Sequence, residues 1–289
     1  MEKAVSAALR VGFIGLGDMG GAIVTRLLAA DLPVTLWARR PESLRQFESG
    51  RFHAAASPAE LGRLSDVVGM CVFADGDVRQ VVLGRDGILT GLSAGSVLLI
   101  HSTVSAATCR EVAAEAAKVG VEVIDAPVTG GRARALAGEL VVLLGGDAAA
   151  IEKARPMLAA FAATTAHLGP LGSGQRMKAL NNALGNATGR LASMAIEIGV
   201  QLGLDPGWTI EILRTGSASS APMKSMVDRL MRDPEFADLA ARMIVKDTAL
   251  FREMCADAGV EAGVLGELAG ERAEHIVPVT DGSAVVRGR

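Results

Sequence analysis

The sequence predicts an α/β protein built on a doubly wound parallel sheet, followed by an all-helical C-terminal region. In the first half, short apolar runs alternate with segments of helical pattern, and continuous apolar runs are typical of parallel strands covered on both faces. A glycine-rich G-x-G-x-x-G pattern directly follows the first apolar run. After about residue 170, helical patterns replace the strands. We therefore expect a Rossmann-type first domain and a helical second domain joined by a long helix.

The apolar runs give the predicted strands. They are Val11–Ile14, Val34–Trp37, Val67–Val72, Val97–His101, Val121–Ile124 and Leu140–Leu144. Helices are predicted between them near residues 18–30, 41–49, 105–118 and 147–161. A proline-free stretch from Gly174 to Leu202 predicts one long helix, because its apolar residues recur at helical spacing. Further helices are predicted near residues 206–214, 222–231, 238–258 and 261–274, with a last strand at Val277–Val279.

Composition excludes several functional classes. The 29 basic and 32 acidic side chains are interspersed, which argues against a nucleic-acid partner. Three scattered cysteines form no disulfide pattern, and four distant histidines show no metal-ligand spacing, so no metal site is expected. The absence of tyrosine excludes oxidoreductases whose acid is a tyrosine. No apolar run reaches the roughly 20 residues of a membrane span, and the first ten residues are too polar for a signal peptide, so we expect a cytoplasmic protein.

The glycine-rich segment has the context of a dinucleotide site, because it follows a strand and opens a helix. Gly15 permits a tight turn, Gly17 lets the backbone approach a pyrophosphate, and Gly20 allows close packing of helix and strand. The alternative is a glycine-rich turn without a ligand. The predicted cofactor-binding loop consists of Gly15, Leu16, Gly17, Asp18, Met19 and Gly20.

The end of the second predicted strand bears on the choice of cofactor. NAD-binding proteins usually place an acid there for the ribose 2′-hydroxyl, whereas this sequence offers Arg39 and Arg40. A pair of arginines suits a 2′-phosphate, so NADP is preferred over NAD. Two solvated surface arginines are the alternative.

Three further motifs follow the glycine-rich one: D-A-P-V-T-G-G at 125–131, G-S-G-Q-R-M-K-A-L-N-N at 172–182, and K-D at 246–247. In order and spacing, the four motifs resemble those of the β-hydroxyacid dehydrogenase family, which includes 3-hydroxyisobutyrate dehydrogenases and tartronate semialdehyde reductases. The resemblance extends from about residue 11 to residue 285. It is specific to the family and leaves the substrate open.

Lys178 is the candidate catalytic residue. Lys178 and Asn182 lie four residues apart on the predicted long helix, so both point to one face. A lysine that faces an apolar cleft is desolvated, which depresses its pKa towards the range useful for proton transfer. The resemblance implies that Lys178 is the general acid in reduction and the general base in oxidation, and that Asn182, beside Asn181, binds the substrate. A surface lysine next to two asparagines is the alternative.

The resemblance assigns roles to two other groups of residues. It implies that the turn Thr129-Gly130-Gly131 binds the substrate's carboxylate, and small residues there leave backbone N–H groups accessible. It also implies cofactor contacts from Cys71, Val72, Thr103 and Lys246, with Asp247 fixing Lys246. An ordinary turn and a solvated Lys-Asp pair are the alternatives. His101 is interpreted as a core histidine.

These observations predict an NAD(P)-dependent oxidoreductase. It would transfer a hydride between the nicotinamide cofactor and a small β-hydroxy acid or its semialdehyde. An imine reductase-like enzyme and a catalytically silent cofactor-binding interaction module are the alternatives, and both typically lack a lysine at the position of Lys178. We predict a dinucleotide-binding domain at residues 1–172 and a substrate and dimerisation domain at 173–289. The long apolar helix indicates a homodimer or homotetramer.

Overall fold

The computed structural model describes residues 9–225, 234–270, 276–277 and 285–286. Contacts between residues divide the chain into two units, Met1–Lys178 and Ala179–Arg289. Lys178 is therefore the last residue of the first unit. The domain boundary between residues 172 and 173 stays a prediction.

Six parallel strands form the main sheet of the first unit, in the order β3-β2-β1-β4-β5-β6. The strand order reverses on either side of β1, and open sheets of this kind bind ligands beyond the carboxyl ends of the strands at that point. The predicted doubly wound parallel sheet is confirmed. The strands are β1 (Val11–Ile14), β2 (Val34–Trp37), β3 (His53–Ala54), β4 (Val67–Met70), β5 (Val97–Ile100) and β6 (Glu122–Asp125).

The three remaining strands of this unit form a separate sheet. These are β7 (Val128–Thr129), β8 (Leu140–Leu144) and β9 (Ala162–His167), and β7 runs antiparallel to β8. The strand predicted at Leu140–Leu144 therefore exists and pairs in parallel with β9, but it lies outside the six-stranded sheet. An antiparallel bridge between Asp125 and Gly145 joins the end of β6 to the residue that follows β8. Strand β9 was missed because its sequence, AATTAH, contains no large apolar residue, and most of its residues are exposed.

Helices cover the strands of the first unit. Residues 41–47 form a 3₁₀ helix where an α-helix was predicted, and a second short 3₁₀ segment spans Ile88–Thr90. The prediction missed α2, α3 and α5, which are too short to show a sustained helical period. The α-helices are α1 (Asp18–Ala29), α2 (Pro58–Arg63), α3 (Asp75–Leu83), α4 (Ala106–Ala117), α5 (Gly131–Ala137) and α6 (Ala148–Ala159).

Successive residues of the central strands belong to two hydrophobic cores, one on each face of the sheet. In β5, Val97 and Leu99 belong to one core, whereas Leu98 and Ile100 belong to the other. All four residues are essentially inaccessible to solvent. The continuous apolar runs of the sequence follow from this arrangement, because strand side chains alternate between faces that are both buried.

The second unit is predominantly helical. Helix α7 (Ser173–Gln201) matches the predicted long helix within one residue at each end, and it packs Ala179, Ala183 and Ala187 into a core with Phe251 and Cys255. Residues 221–225 are helical as well. The other described elements are α8 (Pro206–Thr215), α9 (Pro234–Asp257), α10 (Gly263–Gly270) and an antiparallel pair, β10 (Ile276–Val277) and β11 (Val285–Val286).

Parts of the predicted C-terminal elements lie outside the described residues. These are residues 226–231, 271–274 and 278–279 of the helices predicted near 222–231 and 261–274 and of the strand predicted at Val277–Val279. Within the described ranges, no helix combines the length and the apolar character needed to cross a membrane.

His101 lies in the core of the first unit, with 2% of its surface exposed. Its Nδ1 is 2.8 Å from the carbonyl oxygen of Ala126, and its ring is stacked with that of Phe13 and packs edge-to-face with that of Phe161. Burial lowers the pKa of the imidazole to about 4. No described residue makes a hydrogen bond to Nε2. The histidine is therefore neutral and belongs to the core.

The buried imidazole makes stability depend on pH. Its pKa in the folded protein, about 4, lies below the 6.5 of an exposed histidine, so the unfolded chain binds more protons between these values. The stabilisation is complete above pH 6.5 and decreases as the pH falls towards 4. Between pH 7.5 and pH 5 we expect a loss of about 2 kcal/mol from this residue.

Denaturant unfolding of the wild type and of His101→Asn at both pH values checks this. Asparagine retains a donor for the Ala126 carbonyl but does not titrate. The variant should lose less stability than the wild type as the pH falls. Equal losses in the two proteins would show that His101 does not cause the pH dependence.

Candidate active site

In the loop between β1 and α1, the backbone is accessible to solvent where the helix begins. Gly15 has φ +91°, and a Cβ atom on it would overlap the carbonyl oxygen of Cys71. A Cβ on Gly20 would likewise overlap the carbonyl oxygen of Gly15. In contrast, a Cβ on Gly17 would meet nothing within 4 Å. The exposed Gly17 and Asp18 therefore present the first N–H groups of α1 to an approaching anion.

The ends of β4 and β5 are connected beside this loop. The Cys71 N–H donates to the carbonyl oxygen of Ile14 at 2.8 Å, and the Val72 N–H donates to Oγ of Ser102 at 2.8 Å. Thr103 follows Ser102 and is half-buried. The structure therefore brings the predicted cofactor residues Cys71, Val72 and Thr103 to the same edge of the sheet as the glycine-rich loop.

The position of Lys178 is marked by its effect on Cys71. Burial raises the pKa of the Cys71 thiol to about 11, the positive charge of Lys178 acts in the opposite direction, and the carboxylate of Asp18 adds to the rise. Charges act strongly only over short distances. Half-buried Lys178 therefore lies near the end of β4, at the edge that carries the glycine-rich loop.

The turn after β7 is built for glycine. Gly130 and Gly131 have φ of +131° and +76°, in the left-handed region that other residues rarely adopt. Thr129 precedes them and pairs with Val141 in the small sheet. Arg132, which sequence reasoning missed, ties this turn to the glycine-rich loop by donating from Nη1 to the carbonyl oxygen of Asp18 at 3.0 Å.

Asp125 holds the start of α7 and was also missed. Its side chain is fully buried at the end of β6, where Oδ1 accepts from the Gly172 N–H at 2.6 Å and Oδ2 from the Gln175 N–H at 2.7 Å. Burial raises the pKa of this carboxyl, while the backbone donors act against the rise. A carboxylate at a helix N-terminus also interacts favourably with the helix dipole. The sequence identifies Asp125 only as part of the D-A-P motif and does not reveal its anchoring role, because its hydrogen-bond partners are about 50 residues away in the chain.

In the second unit, a buried carboxylate connects three predicted site residues. Asp247, 6% exposed, accepts from Nδ2 of Asn182 and from Nζ of Lys246, each at 2.7 Å. Nδ2 of Asn181 donates to Oδ1 of Asn182 at 3.2 Å. These bonds fix the orientation of the Asn182 amide. Because Asp247 is buried, Lys246 and Asp247 are not the solvated pair that was the alternative.

The two arginines at the end of β2 are both exposed. Arg39 forms an ion pair with Asp77, with 2.6 Å between Nη2 and Oδ1. Arg40 lies at the start of the 3₁₀ helix. Exposed ion pairs contribute about 0–1 kcal/mol, so Asp77 does not prevent Arg39 from binding a phosphate. Among the described residues, no three histidine, cysteine, aspartate or glutamate side chains are grouped to hold a metal ion.

A parallel sheet with a glycine-rich helix start at its switch point defines a dinucleotide-binding protein. A family model described as the NAD-binding domain of 6-phosphogluconate dehydrogenase matches residues 10–169. A second, described as the NAD-binding domain of NADP-dependent 3-hydroxyisobutyrate dehydrogenase, matches residues 172–286.

The chain is also similar to named dehydrogenases. A probable 3-hydroxyisobutyrate dehydrogenase-like protein of Arabidopsis thaliana is 34% identical over 84% of this chain and 76% of its own length. An NAD-dependent L-serine dehydrogenase of Pseudomonas aeruginosa is 31% identical over 90% of this chain and 89% of its own length. The structure of Mycobacterium tuberculosis 3-hydroxyisobutyrate dehydrogenase with L-serine matches with a TM-score of 0.76 at 26% identity, covering 91% of each chain.

The chain belongs to the 3-hydroxyisobutyrate dehydrogenase family. It is an NAD(P)-dependent oxidoreductase that acts on small hydroxy acids. The predicted family, reaction class and nicotinamide cofactor are thereby confirmed. The roles of individual residues and the choice between NAD and NADP stay predictions.

Removing the carboxylate that anchors α7 should be costly. Asp125→Ala would leave the N–H groups of Gly172 and Gln175 buried without an acceptor, at roughly 1–3 kcal/mol each. We therefore expect the free energy of unfolding to fall by about 3 kcal/mol, measured by urea denaturation at pH 7. Glu152→Ala removes an exposed carboxylate and should change stability by less than about 0.5 kcal/mol. Equal, small effects of both variants would contradict the anchoring role.

Proposed function

We propose that this enzyme interconverts a small β-hydroxy acid and its semialdehyde with NADP, and that Lys178 exchanges the proton. The supporting observation is the place of Lys178 on α7, three residues after Gln175, whose side chain bonds the backbone on both sides of Thr103 at the sheet edge that carries the glycine-rich loop. The cofactor accepts or supplies the hydride. During oxidation, the neutral amine of Lys178 takes the proton of the substrate hydroxyl as the carbonyl forms; during reduction, the ammonium group returns it.

The substrate's carboxylate is bound by the turn Thr129-Gly130-Gly131 in this proposal. The positive φ values of both glycines support it, because successive backbone N–H groups in turns of this kind can bind an anion. The Thr129 hydroxyl adds a donor. Serine and 3-hydroxyisobutyrate, named with the relatives, are both β-hydroxy acids. Asn182 and Asn181 would bind the substrate beside Lys178 in this proposal.

In this proposal, cofactor contacts come from four loops of the first unit and from Lys246. The glycine-rich loop, from Gly15 to Gly20, would bind the pyrophosphate, and Cys71, Val72 and Thr103 would lie along the nicotinamide half. Arg39 and Arg40 would bind the 2′-phosphate of NADP. The named relatives do not decide between the cofactors, since one family model is described as NADP-dependent and one relative as NAD-dependent.

The enzyme is proposed to form a homodimer or homotetramer. Four apolar residues of α7 are between 43% and 60% exposed: Leu180, Leu184, Leu191 and Ile198. At 100° per residue, all four fall within about 40° around the helix axis. A stripe of this kind is typical of a helix face that packs against another helix. A second copy of the chain would cover it with the same stripe.

A cytoplasmic location is proposed from the thiols. Cys71, Cys109 and Cys255 are free. Reducing compartments keep cysteines in this state. The Arabidopsis relative is named as mitochondrial, so the compartment needs its own test by fractionation.

Substitution of Lys178 tests the proton-transfer role. Lys178→Ala should lower kcat on the best β-hydroxy acid of a panel by about 10²–10⁴-fold, since that is the contribution of general acid–base catalysis. Lys178→Arg should lose a similar amount, because arginine keeps the charge but does not give up its proton. The readout is reduced-cofactor absorbance, with NADP affinity measured separately and expected to be little changed. Lys118→Ala, at an exposed lysine that follows α4, is the control; near-normal kcat in Lys178→Ala would refute the assignment.

Substitution of Arg39 tests the cofactor choice. Arg39→Ala together with Arg40→Ala should weaken NADP binding by about 10–100-fold, because charge-assisted hydrogen bonds contribute roughly 1.5–3 kcal/mol. NAD affinity should stay unchanged. Arg155→Ala removes a comparable exposed, ion-paired arginine and should affect neither cofactor. Tighter binding of NAD than of NADP by the wild type in titrations would overturn the preference.

A further inference from the structure

Gln175 connects the start of α7 to the loop between β5 and α4. Its side chain is 3% exposed. Oε1 accepts from the Val104 N–H at 3.2 Å, and Nε2 donates to the carbonyl oxygen of Ser102 at 2.8 Å. The amide therefore binds the backbone on both sides of Thr103. A buried amide that satisfies two backbone groups at once fixes the loop's conformation.

The same connection continues to the neighbouring strand end. Oγ of Ser102 accepts from the Val72 N–H at 2.8 Å. Ser102 thus receives a bond from the end of β4 and another from Gln175. The backbone N–H of Gln175 is itself held by Oδ2 of Asp125. The ends of β4, β5 and β6 are consequently tied to a single helical turn.

Lys178 follows Gln175 by three residues on α7, so the two side chains are neighbours on the helix surface. Any change in the position of this turn relative to the β5–α4 loop changes the position of Lys178 relative to Thr103. Misplacement of reacting groups by about 1 Å is sufficient to lower a rate about 10²-fold. The position of this turn therefore bears on the rate of hydride transfer.

We propose that Gln175 is a positioning residue, which fixes the Thr103 loop relative to Lys178 and thereby aligns the hydride and proton transfers. This inference rests on the proposed role of Lys178 and adds a residue to it. Gln175 does not touch the substrate. Its loss should therefore affect kcat much more than KM or the affinity for the cofactor.

Gln175→Met tests this, because methionine has a similar size and shape but forms neither backbone bond. We expect kcat to fall by about 30–100-fold and KM to change by less than about threefold. NADP affinity should stay near that of the wild type. The primary isotope effect with substrate deuterated at the carbinol carbon should increase, because a misaligned hydride step becomes rate-limiting. Gln175→Asn keeps the amide on a side chain that is one carbon shorter, so the amide cannot reach the backbone on both sides of Thr103. This variant gives a second test should Gln175→Met fail to fold.

Ser65→Ala is the matched control. Ser65 is 2% exposed in the same unit, and its Oγ donates to the carbonyl oxygen of Leu61 at 2.7 Å. Its removal should lower thermal stability and leave kcat and the isotope effect unchanged. If the Gln175 variants behave like Ser65→Ala while Lys178→Ala loses turnover, the positioning role is wrong and the proposed function stands. If Lys178→Ala retains turnover, the proposed function falls, and with it the inference.

Discussion

The geometry of the first unit's site depends on the hydrogen bonds between Asp125 and the first turn of α7. A parallel strand ends in a buried carboxylate, and a helix begins where that carboxylate accepts its N–H groups. The partners are opposite in charge, since the carboxylate is negative and the helix start partly positive. Because α7 runs as one helix from Ser173 to Gln201, the position of this turn determines where Lys178 lies in the first unit.

The glycine-rich loop contributes a different kind of constraint. Close approaches of the backbone leave no room for a Cβ on Gly15 or Gly20, whereas the space next to Gly17 is open. The backbone is therefore closely packed at Gly15 and Gly20 and accessible at Gly17. The α1 N-terminus is available to an anion without any rearrangement, which lowers the entropic cost of binding a cofactor. The second unit uses Asp247 in a related way, since one buried carboxylate orients both Asn182 and Lys246.

The sequence was informative where function depends on local pattern. The glycine spacing, the Lys178–Asn182 spacing and the apolar runs are all local, and they were sufficient for the sheet, the long helix and the family. It was uninformative where partners are distant in the chain. Asp125 meets Gly172 and Gln175 across about 50 residues, and Arg132 meets Asp18 across 114. The small sheet was missed for a related reason, because β9 lacks an apolar run and β7 has only two residues.

The most direct test of the account is a crystal structure of the enzyme with NADP and the β-hydroxy acid that it turns over best. We expect Nζ of Lys178 to lie within about 3.2 Å of the substrate's hydroxyl oxygen, the distance required for direct proton transfer. We also expect the carboxylate to be bound at Thr129-Gly130-Gly131. A complex in which another side chain contacts that hydroxyl oxygen, with Lys178 turned away from it, would contradict the account.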